Sequence, residues 1–421
     1  MRFLHTSDWH LGQTLHNFER SYEHQCFLDW LLDTLMAEQA EGLLIAGDVF
    51  DNANPSAASH KQLYHFLQRA KARNPALNII IIAGNHDSPG RLEAPGPLLE
   101  GLGVHVVGHI SRRADGEIDL EKLVLPLKNR AGVVAAWCLA VPFLRPGDVP
   151  RVGSESGAEN PDAAFNQYSA GIALLYQQAF ALALQKRQSG QAILAMGHCH
   201  MVGGEISADS ERRIVIGGTE ALSASLFDPA IAYAALGHLH LAQSVGKQAH
   251  IRYCGSPLPL SFAEIGYAHQ VLRIDLAGEA VQDIVALPVP RAVQLLRMPP
   301  QPAPMDEVLA ALALLDPAPA SDTPNMPYLE VRLRLDAPEP GLRNRIEAAL
   351  EGKAVRLAKI EISSPSRSPQ SAAALSLDQL ESLQPDDIFK RLYRQRFDGE
   401  VPADQLAAFA ECMLAPSEPQ P

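Results

Sequence analysis

The amino-acid sequence predicts an α/β fold with a parallel β-sheet, and three observations lead to it. Short apolar runs alternate with segments of helical periodicity through the first quarter of the 421-residue chain. The run from Asn78 to Ala83 holds four consecutive isoleucines, which is typical of a parallel strand buried on both faces. Polar residues follow several of these runs directly, and ligands bind at the carboxyl ends of strands in open α/β sheets. The alternation predicts βαβ units, and the polar strand ends predict a site.

The first predicted elements are strands and helices in alternation. In the first helix Phe27, Leu31 and Leu35 lie on one apolar stripe, whereas Asp29 and Asp33 lie off it and are interpreted as a solvated face. The elements run through strand Arg2 to His5, helix Ser21 to Ala40, strand Gly42 to Ala46, helix Pro55 to Arg73, strand Asn78 to Ala83 and strand Val104 to Val107.

The next segment is predicted to hold further strands, of which the two near Ile251 and Gln270 are expected to complete the sheet layer. Two of these strands end in paired histidines, in Gly197-His198-Cys199-His200 and Gly237-His238-Leu239-His240. The predicted elements are a hairpin-like pair over Leu123 to Leu127 and Val133 to Val141, a helix over Pro161 to Arg187, and strands over Ala192 to Met196, Tyr233 to Leu236, Ile251 to Cys254 and Gln270 to Asp275.

A composition shift at Pro288-Val289-Pro290 predicts a domain boundary. We expect a large domain over 1–288, a small α/β domain over 289–364, a linker over 365–375 and a helical tail over 376–421. The later elements are a strand from about Arg291, helix Met305 to Leu315, strand Tyr328 to Leu335, helix Gly341 to Leu350, strand Val355 to Ser363, and tail helices Pro385 to Phe397 and Pro402 to Leu414. Short helices are marginal alone, so the tail is expected to pack on the protein's own core or in a partner's groove.

Composition excludes several classes of protein. With 47% apolar residues the chain can bury a large core, while a formal charge of −13 argues against coating nucleic acid by bulk electrostatics. The 5 cysteines are scattered and form no C-x-x-C pair, which fits a reducing compartment. The N-terminus carries no basic-then-apolar leader and no apolar stretch has the character of a membrane span, so a cytoplasmic location is predicted.

The strand ends together supply a mixed set of oxygen and imidazole groups. Such a set is large enough for two metal ions with open positions for water and substrate, and its chemistry suits Mn²⁺, Fe²⁺ or Zn²⁺. A single D-x-H or G-D at a strand end is more often a turn or a helix cap, whereas five such elements together are not explained that way. The predicted metal ligands are Asp8, His10, Asp48, Asn85, His198, His238 and His240.

Further roles follow from position. Asp48 is predicted to bridge the ions, because its strand lies between the other two ligand-bearing strands if order in space follows order in sequence. His86 would donate a proton to the leaving oxygen, and Asp87 would fix the tautomer of His86 and raise its pKa. His200 is ambiguous between a ligand and a neighbour or substrate contact. Trp9 is expected to point into the core.

The motifs D-x-H, G-D, G-N-H-D, G-H and G-H-x-H in this order resemble the calcineurin-like metallophosphoesterase superfamily. The longer runs SDWHLGQ, AGDVFD, AGNHDS, ALGHLH and YCGSPLPLSF closely resemble the bacterial SbcD nucleases within it. The resemblance covers about the first 275 residues strongly. It implies a β-sandwich core flanked by helices, followed by a small α/β capping domain and a C-terminal helical tail.

The resemblance also implies a mechanism and partners. One metal would be held by Asp8, His10, Asp48 and His240, the other by Asp48, Asn85, His198 and His238, with His86 catalytic. It implies two divalent metal ions, Mn²⁺ by family, and a double-strand 3'-5' exonuclease and single-strand or hairpin endonuclease in DNA recombination and repair. The partner would be an SbcC-like coiled-coil ATPase docked on the tail, with the nuclease as a homodimer within a heterotetramer.

Two other interpretations stay open at the level of sequence. One keeps the chemistry and changes the substrate to nucleotides or other small phosphate esters. The other is a scaffold whose main role is to present the tail to an ATPase. Between residues 291 and 367 the ten Lys and Arg balance the ten Asp and Glu, so charge alone does not mark a DNA-binding face.

Overall fold

The structure is a computed structural model that describes residues 1–150, 161–205, 221–318, 324–335 and 339–363, together with 389–390, 392–394, 401–402, 405–406 and 409. The side chains of 161–164 lie outside this description. The chain divides into two compact units, Met1–Val293 and Gln294–Pro421.

The first unit is built from two mixed sheets and a set of helices. Its strands, in chain order, are β1 (Arg2–Thr6), β2 (Thr14–Leu15), β3 (Phe18–Glu19), β4 (Gly42–Ala46), β5 (Asn78–Ile82), β6 (Val104–Val107), β7 (Val124–Lys128), β8 (Val134–Ala140), β9 (Ala192–His198), β10 (Tyr233–Gly237), β11 (Gln243–Val245), β12 (Gln248–Tyr253), β13 (Gln270–Ala277) and β14 (Ala280–Pro288). Its helices are α1 (Ser21–Ala37), α2 (Ala57–Arg73), α3 (Pro89–Glu93), α4 (Gly96–Glu100) and α5 (Pro161–Lys186).

The two sheets have related strand orders. The first sheet runs β14-β13-β1-β4-β5-β6, with β1, β4, β5 and β6 parallel and β13 antiparallel to β1. The second runs β11-β12-β10-β9-β8-β7, with β8, β9, β10 and β12 parallel and an antiparallel strand at each edge. The strand of Asp48 therefore lies between the strands that precede Asp8 and Asn85, as predicted.

Alternation along the central strands explains why the sheets stack. In β5, Ile80 and Ile82 face the core shared with the second sheet, while Ile79 and Ile81 face the core shared with the helices. Both sets are fully buried, because side chains alternate between faces along a strand. The predicted β-sandwich flanked by helices is thus the observed architecture.

The helices cover the outer faces of the sandwich. Phe27, Leu31 and Leu35 of α1 pack in the core beneath the first sheet, together with residues of α2. Ser56 caps the N-terminus of α2, where its side chain accepts a hydrogen bond from the Ser59 amide at 3.1 Å. Helix α5 packs on β7 and β8 of the second sheet. No helix among the residues described here is both long and apolar enough to cross a membrane.

The strand assignments differ from the prediction in several respects, and the short strands β2, β3 and β11 were not predicted. The predicted strands near Ile251 and Gln270 were expected to complete one layer, but β12 joins the second sheet and β13 joins the first. The hairpin partner β14 was not predicted, since its residues are mostly exposed or half-buried and show no regular alternation. Pairing over long sequence distances decides sheet membership, and local pattern does not encode it.

The second unit holds a small parallel sheet covered by two helices. The strands are β15 (Leu295–Ala303), β16 (Tyr328–Arg334) and β17 (Arg356–Ser363), in the order β15-β16-β17, and the helices are α6 (Met305–Ala313) and α7 (Leu342–Leu350). Leu329, Val331 and Leu333 of the central strand form its core with both helices. On the opposite face Glu330 is fully buried between Arg297 and Lys359.

Much of the tail lies outside the described residues, as does the whole predicted linker over 365–375. The described tail residues include helical positions within both predicted helices. The rings of Phe389 and Phe409, one from each, stack with centroids 4.4 Å apart and planes 3° from parallel. These two tail segments therefore contact each other through an aromatic pair.

Candidate metal centre

The carboxyl ends of five strands meet at one edge of the sandwich. Three of these strands belong to the first sheet and two to the second. The structure brings all the predicted ligand residues together there. Asp8 and His10 follow β1, Asp48 follows β4, Asn85 follows β5, His198 ends β9, and His238 and His240 follow β10. All are buried except Asn85, which is half-buried.

Four of these residues adopt positive φ angles. The values are 53° for Asp8, 47° for His10, 48° for Asp48 and 104° for His238. This conformation costs a residue other than glycine about 1–3 kcal/mol and persists only where surrounding contacts enforce it. The backbone contacts that do so include the Asp8 amide donating to the Gly47 carbonyl and the His10 amide donating to the Asp48 carbonyl, both at 3.0 Å. Such strain concentrates at functional sites.

Two glycines allow the ligand-bearing loops to approach each other. A Cβ at Gly84 would lie 2.1 Å from Asp48 Oδ1, and a Cβ at Gly237 would lie 1.9 Å from the Ala46 carbonyl oxygen. Neither distance is compatible with a side chain. Glycine at these strand ends is therefore required by packing around Asp48 and Ala46.

One cluster of candidate ligand atoms forms around Asp48 and Asn85. His198 Nε2 lies 2.9 Å from Asn85 Oδ1 and 3.3 Å from Asp48 Oδ2. His238 Nδ1 lies 3.1 Å from the same amide oxygen. Asp8, Asp48 and His198 also place one ligand atom each within 4.8 Å of one another. Imidazole nitrogens and oxygen acceptors thus converge on one point.

A second cluster lies beside it. Asp8, His10 and His240 each place a ligand atom within 4.8 Å of the other two. His10 Nε2 is 3.7 Å from Asp48 Oδ2, and it is buried with no hydrogen-bond partner among the residues described. An orphaned imidazole nitrogen in a set of carboxylates and imidazoles fits a divalent cation. Asp8 shares two of these groups, so it is as well placed between them as Asp48.

Hydrogen bonds fix the orientation of the carboxylates and imidazoles. Asp48 Oδ1 accepts from the His86 amide and Asp8 Oδ1 from the His238 amide, both at 2.9 Å. His198 donates from Nδ1 to the Ala46 carbonyl oxygen at 2.9 Å, because a carbonyl can only accept. Nδ1 therefore carries a proton, and Nε2 faces the cluster.

The pKa shifts reflect close packing of charge in a buried site. Burial alone would raise the pKa of Asp48, but the imidazoles of His198, His10 and His86 together outweigh it and hold that pKa well below its usual range. Burial alone would lower the pKa of His198, but the carboxylate of Asp48 raises it to about 9. Burial raises the pKa of Asp8. The opposite charges of these groups therefore counter the effect of burial on the pKa values of Asp48 and His198.

His86 and Asp87 have partners other than the predicted ones. His86 Nδ1 lies 2.7 Å from the Asp51 carbonyl oxygen, so the backbone rather than Asp87 orients the ring. The Asp87 carboxylate accepts from the amides of Gly84 at 2.8 Å, Phe50 at 2.9 Å and Val49 at 3.2 Å. The expected contact between Asp87 and His86 is therefore corrected: Asp87 joins the loops after β4 and β5, where amide donors compensate its buried charge. Burial, with the nearby Asp48, raises its pKa to about 6.

Other predicted residues also have defined places. The ring of His200 lies 6.3 Å from that of His238, and His200 belongs to none of the ligand-atom groups found in the described residues. Trp9 is fully buried against Phe27 and Phe66, as predicted.

Sequence reasoning missed two carboxylates behind the ligands. Asp51 Oδ1 lies 3.2 Å from His10 Nδ1, and Glu264 Oε1 lies 2.8 Å from His240 Nδ1. Asp51 stands within the run AGDVFD and Glu264 two residues beyond YCGSPLPLSF. Their positions in or beside these family-like runs are the sequence feature that could have identified them.

Two protein-family models match this chain. The model of the calcineurin-like phosphoesterase family matches residues 1–242. A second model, described as the Type 5 capsule protein repressor C-terminal domain, matches residues 291–397. Together they cover most of both units.

Full-length relatives are also similar. The SbcD subunit of the SbcCD nuclease from Rhodobacter capsulatus is 44% identical over 378 residues, which are 89% of this chain and 90% of that protein. The corresponding nuclease subunit from Escherichia coli strain K12 is 36% identical over 291 residues, 69% of this chain and 68% of that one. That of Bacillus subtilis strain 168 is 34% identical over 276 residues, 65% of this chain and 66% of that one. With its motifs, strand-end site and this similarity, the chain belongs to the calcineurin-like phosphoesterases and, among them, to the SbcD nuclease family.

Proposed function

We propose that this chain is a two-metal-dependent DNA nuclease that acts as the nuclease subunit of an SbcC–SbcD complex in DNA recombination and repair. The activity is a double-strand 3'-5' exonuclease together with a single-strand and hairpin endonuclease. The observation that carries the proposal is the convergence of seven buried or half-buried oxygen and imidazole side chains from five strand ends. Both its metal-dependent hydrolase class and its nuclease role accord with the family to which the chain belongs.

Two cations would be held by the two clusters described above. Asp8, His10, Asp48 and His240 would hold one, and Asp48, Asn85, His198 and His238 the other. Cations at such a centre polarise a phosphoryl oxygen and lower the pKa of the attacking water. The ligand set suits Mn²⁺, Fe²⁺ or Zn²⁺ alike, and we propose Mn²⁺ as the cation on the resemblance to the SbcD family.

The remaining chemistry falls to residues of the chain. His86 donates a hydrogen bond from Nδ1 to the Asp51 carbonyl oxygen. Its Nε2 atom is therefore the one that can deliver a proton to the leaving oxygen. Its ring lies 4.7 Å from that of His10, and His86, His10 and Asp48 each place a ligand atom within 4.8 Å of the other two, so the ring lies beside the metal clusters. Asp87 supports this arrangement through the backbone, since its carboxylate ties the loop that carries His86 to the loop that carries Asp48.

The partners of the proposed complex follow from the family. An SbcC-like coiled-coil ATPase would dock on the helical tail over 376–421, and the domain over 289–364 would act as a cap that positions DNA. A homodimer within a heterotetramer is the proposed assembly. Small phosphate esters as the substrate are not favoured, because a relative that matches 89% of the chain is named as a nuclease subunit.

The test is a cleavage assay of the purified chain with Mn²⁺, with and without its ATPase. The substrates are hairpin DNA, linear duplex DNA and a nitrophenyl phosphate diester. We expect Mn²⁺-dependent cleavage of both DNA substrates, and chelation should abolish it. Hydrolysis of the small diester without cleavage of either DNA would contradict the nuclease assignment.

A further inference from the structure

A buried carboxylate stands directly behind one of the proposed ligands. Glu264 Oε1 lies 2.8 Å from His240 Nδ1, with the Glu264 side chain fully buried and that of His240 2% exposed. An ionised carboxylate can only accept a hydrogen bond, so the imidazole donates from Nδ1. The Nε2 atom is then the one with an available lone pair, and His240 shares a ligand-atom group with Asp8 and His10.

The carboxylate is itself held in place. Glu264 closes a short 3-10 turn, Phe262–Glu264, in which the Ser261 side chain accepts a hydrogen bond from the Ala263 amide at 3.2 Å. Glu264 Oε2 accepts from the Leu260 amide at 2.7 Å, so each carboxylate oxygen has its own partner. The Glu264 amide in turn donates to the Ser261 carbonyl at 3.2 Å. The group that faces His240 is thus fixed before any cation binds.

The other imidazoles of the centre are oriented differently. His198 donates to the neutral carbonyl of Ala46, and His10 contacts the partly exposed Asp51 carboxylate at 3.2 Å. The partner of Nδ1 in these three rings is thus a carbonyl, a partly exposed carboxylate and, for His240 alone, a fully buried carboxylate. A charged acceptor in a dry environment binds an N–H more strongly than a carbonyl does, so it selects one ring orientation and one tautomer more firmly.

We propose that Glu264 is a positioning residue of the metal centre, whose carboxylate holds His240 as the Nδ1–H tautomer and so presents Nε2 to a cation. The inference deepens the proposed function and rests on it, because it concerns how this chain binds the cations that the nuclease requires. Glu264 touches neither substrate nor metal and acts through His240.

The test compares Glu264→Gln with the wild-type chain. Glutamine keeps the shape, but its amide can donate as well as accept, so both tautomers of His240 become possible. We expect Mn²⁺ affinity, measured by isothermal titration calorimetry, to fall by about 10–100-fold. In NMR spectra of the cation-free protein labelled with ¹⁵N-histidine, the His240 signals should change from those of the Nδ1–H tautomer toward those of a mixture of tautomers. The His240→Gln variant assigns these signals, because they are missing from its spectrum.

A matched control makes the same substitution away from the site. Glu121→Gln changes a side chain that is 62% exposed and pairs with Lys186, and we expect wild-type cation affinity and a wild-type His240 signal. Thermal unfolding of the cation-free variants shows whether each one folds. If Glu264→Gln fails to fold, Glu264→Asp keeps the charge and shortens the reach, and the same loss of affinity and change in His240 signal is expected.

The outcomes separate this inference from the proposed function. A folded Glu264→Gln chain with wild-type Mn²⁺ affinity and an unchanged His240 signal overturns the positioning role alone, since the wild-type chain would still bind cations and cleave DNA. A wild-type chain that binds no Mn²⁺ overturns the proposed function and this inference together.

Discussion

At the level of single residues, each central carboxylate joins two parts of the site. Asp48 Oδ1 accepts the amide of His86, while Oδ2 faces the rings of His198 and His10. Asp8 Oδ1 accepts the amide of His238 in the same way. Each carboxylate therefore orders the loop of another site residue as well as offering an oxygen to a cation.

This double task predicts different effects for two substitutions. His86→Ala should keep Mn²⁺ content and lower the DNA cleavage rate by about 10²–10⁴-fold, because it removes a proton donor and no proposed ligand. Asp48→Ala should lose both cation and cleavage. Metal analysis and a nuclease assay measure the two quantities. His109→Ala is the matched control, since that ring is half exposed and outside the site; a His86→Ala chain that cuts DNA at the normal rate would contradict the assignment.

A second prediction concerns the contact between Gly84 and Asp48. Gly84→Ala places a Cβ 2.1 Å from Asp48 Oδ1 and 2.3 Å from its amide nitrogen, so Asp48 or the loop must shift. We expect weakened Mn²⁺ binding and a loss of about 1–3 kcal/mol in the free energy of unfolding. Gly90→Ala is the control, because a Cβ there meets nothing within 4 Å. Equal cation affinity in the two variants would mean that the close approach has no consequence.

At the level of elements, the central strands serve two cores at once. Alternate residues of β4 and β5 fill the layer between the sheets and the layer beneath the helices. These strands end at the site, so the packing of both layers determines the positions of Asp48 and Asn85. Position in the site is thus determined by residues that never contact a cation.

The alternation of buried side chains along β5 predicts that truncation of one of them lowers the free energy of unfolding far more than truncation of a surface residue does. Ile80→Ala should lower the free energy of unfolding by about 2–5 kcal/mol, because the side chain is fully buried between the sheets. Val133→Ala, with 59% exposure, should change it by about 0.5 kcal/mol or less. Urea unfolding followed by tryptophan fluorescence reports on the first unit, which contains all 3 tryptophans. Similar values for the two variants would contradict the assigned burial.

The comparison of sequence with structure shows where prediction reached its limit. The bounds of β4 and β6 match the predicted strands, because continuous apolar runs bounded by polar residues define them. Local pattern did not separate β12 from β13 into different sheets, since strand pairing is long-range. The partner of His86 is a backbone carbonyl, which leaves no trace in residue identity. Strand-end chemistry was therefore predictable, and the contacts that orient it were not.

At the level of the whole molecule, the chain comprises two compact units, and the proposed ligands all belong to the first. Deleting residues from Ser376 onward should leave Mn²⁺-dependent cleavage of the chain alone intact and abolish association with the ATPase. Co-purification with the ATPase and cleavage of linear duplex measure the two effects. A truncated chain that still co-purifies would place the docking surface elsewhere. If the truncated chain loses both the ATPase and its own cleavage activity, the tail also contributes to catalysis.

The site draws its side chains from both sheets of the sandwich: Asp8, His10, Asp48 and Asn85 come from one, and His198, His238 and His240 from the other. A cation bound here would hold the two sheets together. At a free cation concentration of a hundred times its Kd, it would add about 2.7 kcal/mol to the free energy of unfolding. Any slippage of one sheet against the other would pull the two halves of the centre out of register. The rate of catalysis would then depend on how well the two sheets pack against each other.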